Sequence, residues 1–411
     1  MPMSEASIRT PDEAEKPGGS LVLNPHVAAL PPYNAGLNIA VARAVSGRSD
    51  IARLASNENP DGCSPAVLEA LRSPQFEPWR YADPACTELR SALAEKLATA
   101  ADRIVVGNGS EEMIAAIARA ALTPGCEVVT VTPSFGLHEI EPLAAGARVT
   151  KVPMAADLGF DIAAIAAALA TEPRILFLSS PSNPVGPALD QAQLERLADA
   201  ASPRTLFVLD EAYFEYADEG APDARAILNA AGLPHVVLRT FSKAYGLAGL
   251  RVGYAVCSDA LLARAVAAAK TPFNVNAAAQ VAAMAALRDD AWMKASTARL
   301  RTERERVRTA LHRLGLRPAP SQTNFLFLDI GADSDAIAAA LLRGGIIVKP
   351  WREAGYRSYL RVTIGHAADN DRLIAGLAAC LGTDGPPAFN ESGNRSGNTE
   401  GNCNDQPRTS R

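Results

Sequence analysis

Residues 205–256 read TLFVLDEAYFEYADEGAPDARAILNAAGLPHVVLRTFSKAYGLAGLRVGYAV. Three β-rich runs stand out in them, 205–209, 236–240 and 252–256. The first ends directly in two acids, Asp210 and Glu211, and an anion stranded after a buried strand needs either a cationic partner or open solvent. The second is followed by Phe241-Ser242-Lys243-Ala244-Tyr245-Gly246, a lysine flanked by hydroxyls and small residues. Burial shifts a lysine toward the neutral amine, the form that condenses with a carbonyl. Arg251, eight residues on, is placed to hold a phosphate beside that amine. A lysine lying on the surface of a turn is the plainer reading of the same residues.

Working outward, similar β-rich runs at 104–107, 127–132, 148–152 and 174–179 alternate with alanine-rich helical stretches such as 111–122 and 162–170. That alternation predicts an α/β sheet with helices on both faces. Beyond about Pro272 the texture becomes long, charged, Ala-rich and helical through Arg313. Three more β-like runs follow at 324–329, 345–349 and 359–364 and suggest a smaller α+β unit.

Open α/β sheets bind ligands outside the carboxyl ends of their strands, and two further polar clusters stand at such ends. Gly107-Asn108-Gly109-Ser110-Glu111-Glu112 joins a strand to a helix. Its glycines allow a tight turn, Ser110 is positioned to cap the helix, and free amides there can hold a phosphate. A plain capped turn has the same composition. Ser179-Ser180-Pro181-Ser182-Asn183-Pro184-Val185-Gly186 follows another apolar run and by composition alone is a turn.

The 411 residues carry 40 basic and 45 acidic side chains, net -5, and are 48% apolar. This argues against nucleic acid as the main partner and against disorder for most of the chain. No apolar window reaches the roughly 18 residues of a membrane span. The six cysteines are scattered, without a C-x-x-C pair or an apolar leader, which predicts reduced thiols in a cytoplasmic protein. The five histidines are isolated in sequence, with no H-E-x-x-H and no Cys/His cluster, so no metal is expected. P-loop and G-x-S-x-G signatures are absent, as is a G-x-G-x-x-G opening a first βα unit. Residues 1–20 read as a loose arm, and 383–411, rich in Gly, Asn, Ser and Pro, as a disordered tail.

In this order the clusters resemble the fold-type I aminotransferases that use pyridoxal 5′-phosphate, and specifically the histidinol-phosphate aminotransferase family. The motifs that carry the resemblance are S-K-A-Y-G-L-A-G-L-R-V-G-Y from Ser242, D-E-A-Y from Asp210, S-N-P-x-G from Ser182 and L-A-S-N-E-N-P from Leu54. It runs from about Leu30 to Leu381. The resemblance implies a large cofactor-binding domain over 75–275 with a mostly parallel seven-stranded sheet, and a smaller α+β domain over 276–382. Residues 21–74 would contribute to the small domain and the substrate edge.

The resemblance also implies roles. Lys243 would bond the cofactor and shuttle a proton between substrate Cα and the cofactor, while Asp210 would keep the pyridine nitrogen protonated. Asn183 and Tyr213 would donate to the ring 3′-oxygen, and Phe135 would stack on the ring where many relatives have Tyr. The phosphate would lie among Gly109, Ser110, Glu111, Thr240, Ser242 and Arg251. Tyr81, in Arg80-Tyr81-Ala82-Asp83-Pro84, would reach the partner subunit's cofactor phosphate in a homodimer. Tyr33 and Asn57 would edge the substrate. Arg361 would grip its anionic end by a bidentate fork at the pocket rim, beside Lys349, where many relatives have a second arginine. The implied reaction moves an amino group between L-glutamate/2-oxoglutarate and histidinol phosphate/imidazole acetol phosphate. An aromatic amino acid aminotransferase and a phosphoamino-acid decarboxylase are the alternatives on the same scaffold.

Overall fold

The computed structural model describes residues 22–30, 36–73 and 77–382. The expectations for the 1–20 arm, the 383–411 tail and Tyr33 lie outside the described residues.

Seven strands form the main sheet: β2 (Ile104–Gly107), β3 (Glu127–Thr132), β4 (Arg148–Pro153), β5 (Ile175–Ser179), β6 (Leu206–Asp210), β7 (His235–Thr240) and β8 (Gly253–Cys257). A short strand, β1 (Ala52–Arg53), precedes them. The order across the sheet is β2-β8-β7-β6-β5-β3-β4. β5 and β6 are buried at every residue, as near-continuous apolar runs are when helices cover both faces. One face packs Met113, Ile114 and Ile117 of the helix Gly109–Ala121 against Val105, Phe177 and Val236. The opposite face packs Ile165, Leu194 and Leu228 against Val129, Leu176 and Phe207.

Two features of the order position the site. From β3 the chain moves outward to β4 and then returns to β5 on the other side of β3, so the crossovers diverge between β3 and β5, where ligands enter α/β sheets. All pairings among β3 to β7 are parallel, whereas β8 runs antiparallel to both β7 and β2. That insertion sets Gly253 opposite both Gly107 and Thr240.

A second sheet is antiparallel, in the order β12-β13-β10-β9, from β9 (Arg317–Pro318), β10 (Phe325–Asp329), β12 (Lys349–Pro350) and β13 (Tyr359–Thr363). The pair β9 is too short and proline-bearing to register as a strand in sequence. The run at 345–349 is not one strand. Its first part, β11 (Ile346–Ile347), pairs in parallel with β1, and the chain then changes partner, so that Lys349 and Pro350 join β13. Identity of the neighbour decides this break, and composition does not report it. The helical stretch ending at Arg313 likewise divides into Ala277–Arg288 and Asp290–Arg313 at Asp289, whose φ of -108° and ψ of 57° leave the helical region. The Asp289 carboxylate accepts the Trp292 N–H and starts the second helix. Among the described residues no helix is long and apolar enough to cross a membrane.

Candidate active site

A cavity of about 540 Å³ opens at the carboxyl ends of β3, β5, β6 and β7, with residues of the second sheet closing it. Lys243 stands in it on the turn after β7. That turn is fixed by Phe241 N–H to Val252 O at 3.0 Å, Gly246 N–H to Lys243 O at 3.0 Å and Leu247 N–H to Phe241 O at 2.9 Å. The buried Phe241 ring, 4.9 Å from Tyr245 and 5.9 Å from Tyr254, anchors it from below. Lys243 Nζ donates to Ser56 O at 3.1 Å. Burial, aided by the guanidinium charges of Arg361 and Arg251, pushes its pKa down to about 8, so roughly a tenth of the amine is neutral and nucleophilic at pH 7, far more than for an ordinary lysine.

Asp210 is the last residue of β6, in register with Ser179 and Leu238, and only 4% exposed. One carboxylate oxygen accepts the Ala212 N–H at 3.1 Å. The other lies 3.4 Å from Nε2 of His138, an atom buried without a hydrogen-bond partner of good geometry. His138 is fixed by stacking on Phe177 at 5.3 Å and by Ser134 Oγ, 3.3 Å from its Nδ1. His138 is thus a core residue, yet the fold sets it against the acid. Its isolation in sequence hid this, because the partner lies 72 residues away. The Ser134 and Phe135 immediately upstream were the available signal.

Tyr213 OH accepts from Asn57 Nδ2 at 2.8 Å. Asn57 takes a φ of 55°, a conformation asparagine tolerates. It is held by Thr363, through bonds of 3.0 and 2.9 Å, and by Asn324 Nδ2 on its carbonyl at 2.9 Å. Asn183, whose N–H donates to Ser179 Oγ at 2.8 Å, accepts from Arg361 Nη1 at 2.7 Å. Arg361 Nη2 donates to Ala55 O at 2.6 Å. Arg361 is therefore only 8% exposed, a buried wall of the cavity and not its rim. The correction follows from register: Arg361 pairs with Phe327 on one side and Lys349 on the other, in the middle of the second sheet. Lys349 lines the cavity too, and burial with the charges of Arg361 and Arg352 lowers its pKa to about 8.

The third group is a cluster of anion ligands. Thr240 Oγ1 donates to Ser242 Oγ at 3.0 Å, Arg251 Nη1 to Ser242 Oγ at 3.4 Å, and Arg251 Nη2 to Glu111 Oε2 at 2.9 Å. Ser110 lies inside the first turn of the helix Gly109–Ala121. Asn108 holds the cap position without a side-chain cap bond. Ser110 is thus not the cap, and the helix start keeps amides for an outside acceptor. Space here is tight: a Cβ on Gly109 would sit 2.5 Å from Arg251 Nη2, and one on Gly253 2.5 Å from Ser110 N. Hydroxyls, a guanidinium, a helix start and glycines that let them converge fit a phosphate monoester. Asp210, backed by an imidazole, fits a protonated ring nitrogen.

Of the expected residues, Asn57, Ser110, Glu111, Phe135, Asn183, Asp210, Tyr213, Thr240, Ser242, Lys243, Arg251, Lys349 and Arg361 line this one cavity, and Gly109 adjoins it. Tyr81 stands apart, 86% exposed, its ring 4.7 Å from that of Phe273. Trp351 and Glu353 also line the cavity, although their sequence context offered no motif.

A reactive amine, a ring-nitrogen acid and a phosphate cradle at the end of a mostly parallel seven-stranded sheet define a fold-type I pyridoxal-phosphate enzyme. Residues 49–377 match the aminotransferase class I and II family, and the chain belongs to it. Histidinol-phosphate aminotransferase 3 of Rhizobium meliloti is 44% identical over 352 residues, 85% of this chain and 95% of that protein. The crystal structure of histidinol-phosphate aminotransferase from Sinorhizobium meliloti in complex with pyridoxal-5′-phosphate superposes with a TM-score of 0.80 at 32% identity, covering 87% of this chain and 96% of that one. L-threonine-O-3-phosphate decarboxylase from Porphyromonas gingivalis gives a TM-score of 0.70 at 27% identity, covering 80% and 99%. The protein is a pyridoxal-phosphate-dependent transaminase, and its family works on amino donors and 2-oxo acids, typically as dimers.

Proposed function

We propose that the enzyme exchanges an amino group between L-glutamate/2-oxoglutarate and histidinol phosphate/imidazole acetol phosphate, as a cytoplasmic homodimer. The observation that carries this reading is the cross-strand pair Arg361 and Lys349, two cations on neighbouring strands facing the cavity that holds Lys243. A transaminase of this kind must seat a carboxylate in one half-reaction and a phosphate ester in the other. A guanidinium fork grips either anion, and an adjacent ammonium adds charge for the dianion. The relatives named above for histidinol phosphate favour the same substrate.

The bound cofactor supplies an aldehyde for amines and a ring that accepts the electron pair left at substrate Cα. Lys243 Nζ, the amine facing the cavity, would take the proton from substrate Cα and hand it on toward the cofactor. Asp210 would hold positive charge on the ring nitrogen, with His138 behind it as a positioning residue. Asn183 and Tyr213 would donate to the 3′-oxygen, Phe135 would cover the ring, and Gly109, Ser110, Glu111, Thr240, Ser242 and Arg251 would frame the phosphate. Asn57 would edge the substrate, and Tyr81 would serve the partner subunit. The separate seven-stranded and four-stranded sheets support a large domain over 75–275 and a small one over 276–382, to which residues 21–74 contribute through the two-stranded β1–β11 pairing.

A panel of histidinol phosphate, phenylalanine, tyrosine and phosphothreonine with 2-oxoglutarate tests the reading. Histidinol phosphate should give the highest kcat/KM. The aromatic wall of Phe135 and Trp351 favours an aromatic amino acid aminotransferase as the second reading, and a preference for phenylalanine or tyrosine would establish it in place of the first. Carbon dioxide release from phosphothreonine would point to the decarboxylase.

A further inference from the structure

Three carboxylates line the cavity, and two have evident partners: Asp210 has His138, and Glu111 has Arg251. Glu353 is different. One of its oxygens accepts from Thr132 Oγ1 at 2.9 Å, at the carboxyl end of β3. The lysine that attracts it through space, Lys151, is committed to Glu139 at 2.9 Å. Burial pushes the carboxyl up from its ordinary value, with Glu139 adding repulsion and Thr132 and Lys151 opposing. The indole N–H of Trp351 is buried without an acceptor at hydrogen-bonding geometry, although it lies close enough to draw Glu353 slightly down. The remaining surroundings in the cavity include the apolar and aromatic groups Phe135, Ile140 and Trp351.

Thr132 satisfies one oxygen, and the other oxygen of this half-buried acid, in a cavity with aromatic walls, still calls for a donor. Phenylalanine offers no donor. A second carboxylate would be repelled, which leaves the anionic end of a substrate to Arg361 and Lys349. A neutral imidazole suits the place: it is flat, and carries one N–H for the carboxylate and one bare nitrogen for an indole N–H. We infer that Glu353 is a specificity-determining residue, whose carboxylate accepts the ring N–H of an imidazole-bearing amine substrate lying between Phe135 and Trp351. This rests on the substrate reading above and sharpens it by naming what excludes plain aromatic amines. Sites that hydrogen-bond a substrate N–H discriminate strongly against analogues lacking it, because the buried partner is left unpaired.

Glu353 also fastens its loop to the main sheet, since Tyr356 OH donates to Thr132 O at 3.3 Å beside the Thr132–Glu353 bond. The test must separate fastening from recognition. kcat/KM for histidinol phosphate and for phenylalanine is measured in the holoenzyme for the wild type, Glu353→Leu, Glu353→Gln and Thr132→Val. The ratio of the two should fall by about tenfold or more in Glu353→Leu and by less in Glu353→Gln, whose amide oxygen still accepts. Thr132→Val should lower both values together and leave the ratio within about twofold. A ratio that moves less than about threefold in both Glu353 variants, or a parallel loss on both substrates, overturns the inference. Should Glu353→Leu fail to fold, Glu353→Ala, which also removes the acceptor, decides by the same threshold. A wild type that prefers histidinol phosphate while its Glu353 variants keep that preference sinks this inference alone. A wild type indifferent to histidinol phosphate sinks the substrate reading with it.

Discussion

Lys243 shows how far a residue's chemistry is readable before its surroundings are known. Its motif placed an amine after a buried strand, and the fold adds the two cations that, after burial, depress it: Arg361, 118 residues away, and Arg251. Covalent loading of cofactor onto the apoenzyme should rise with pH about a midpoint near 8, as the ammonium gives way to the amine. Removing a neighbouring cation raises an amine's pKa, so Arg361→Ala should move that midpoint upward. Stopped-flow absorbance reads both, and an unmoved midpoint in Arg361→Ala would leave the depression to burial and Arg251. At Asp210, a neutral amide cannot hold charge on the ring nitrogen. Asp210→Asn should keep cofactor but lose turnover on the order of 10³-fold, about 4 kcal/mol in the barrier. Near-normal turnover would leave Asp210 a structural role only. The residues that sequence revealed, Lys243, Asp210, Asn183 and Arg251, sit in short motifs at strand ends. His138 and Glu353 escaped because each has its meaning only through a contact more than 70 residues away in the chain.

At the scale of elements, the buried strands β5 and β6 were legible because a strand covered on both faces reads as a near-continuous apolar run, and β7 carries the same signal in Val236, Val237 and Leu238. β11 and β12 were not, since two residues pairing with β1 and two pairing with β13 carry the same composition as one continuous strand. The antiparallel insertion of β8 was equally silent, yet it governs the phosphate cradle. It brings Gly253 between Thr240 and the start of the helix Gly109–Ala121, where any Cβ would press on backbone atoms of Gly109 and Ser110 at 2.7 and 2.5 Å. Backbone cannot yield as a flexible side chain can. Gly253→Ala should therefore push the helix start away from Thr240 and Arg251, weakening cofactor affinity by about tenfold or more, while substrate KM at saturating cofactor changes less. Equilibrium titration of the apoenzyme with pyridoxal phosphate measures it. Unchanged affinity would mean that the helix start does not hold the phosphate.

On the scale of the whole molecule, the single chain carries large apolar side chains at its surface that a folded monomer has little reason to expose. Trp79, Tyr81 and Phe273 are 73%, 86% and 45% accessible, and Tyr81 and Phe273 lean on each other. Aromatic surface of this kind marks an interaction face, and in a two-fold dimer the same patch meets itself or its neighbour. If Tyr81 completes the partner subunit's phosphate site, the defect of Tyr81→Ala is felt in the opposite subunit from its own Lys243. An equal mixture of Lys243→Ala and Tyr81→Ala chains, after subunit exchange, then contains hybrids in which the Tyr81→Ala subunit keeps its lysine and receives an intact tyrosine from its partner. Half of the dimers would be hybrids with one whole site of two, so activity should return to about a quarter of wild type. If Tyr81 instead acts within its own subunit, each site in the hybrid lacks one group or the other, and mixing recovers nothing. Activity assayed before and after exchange, with hybrid formation followed by differently tagged chains, distinguishes the two arrangements, because only tyrosine donation across the interface lets two defective chains make one working site.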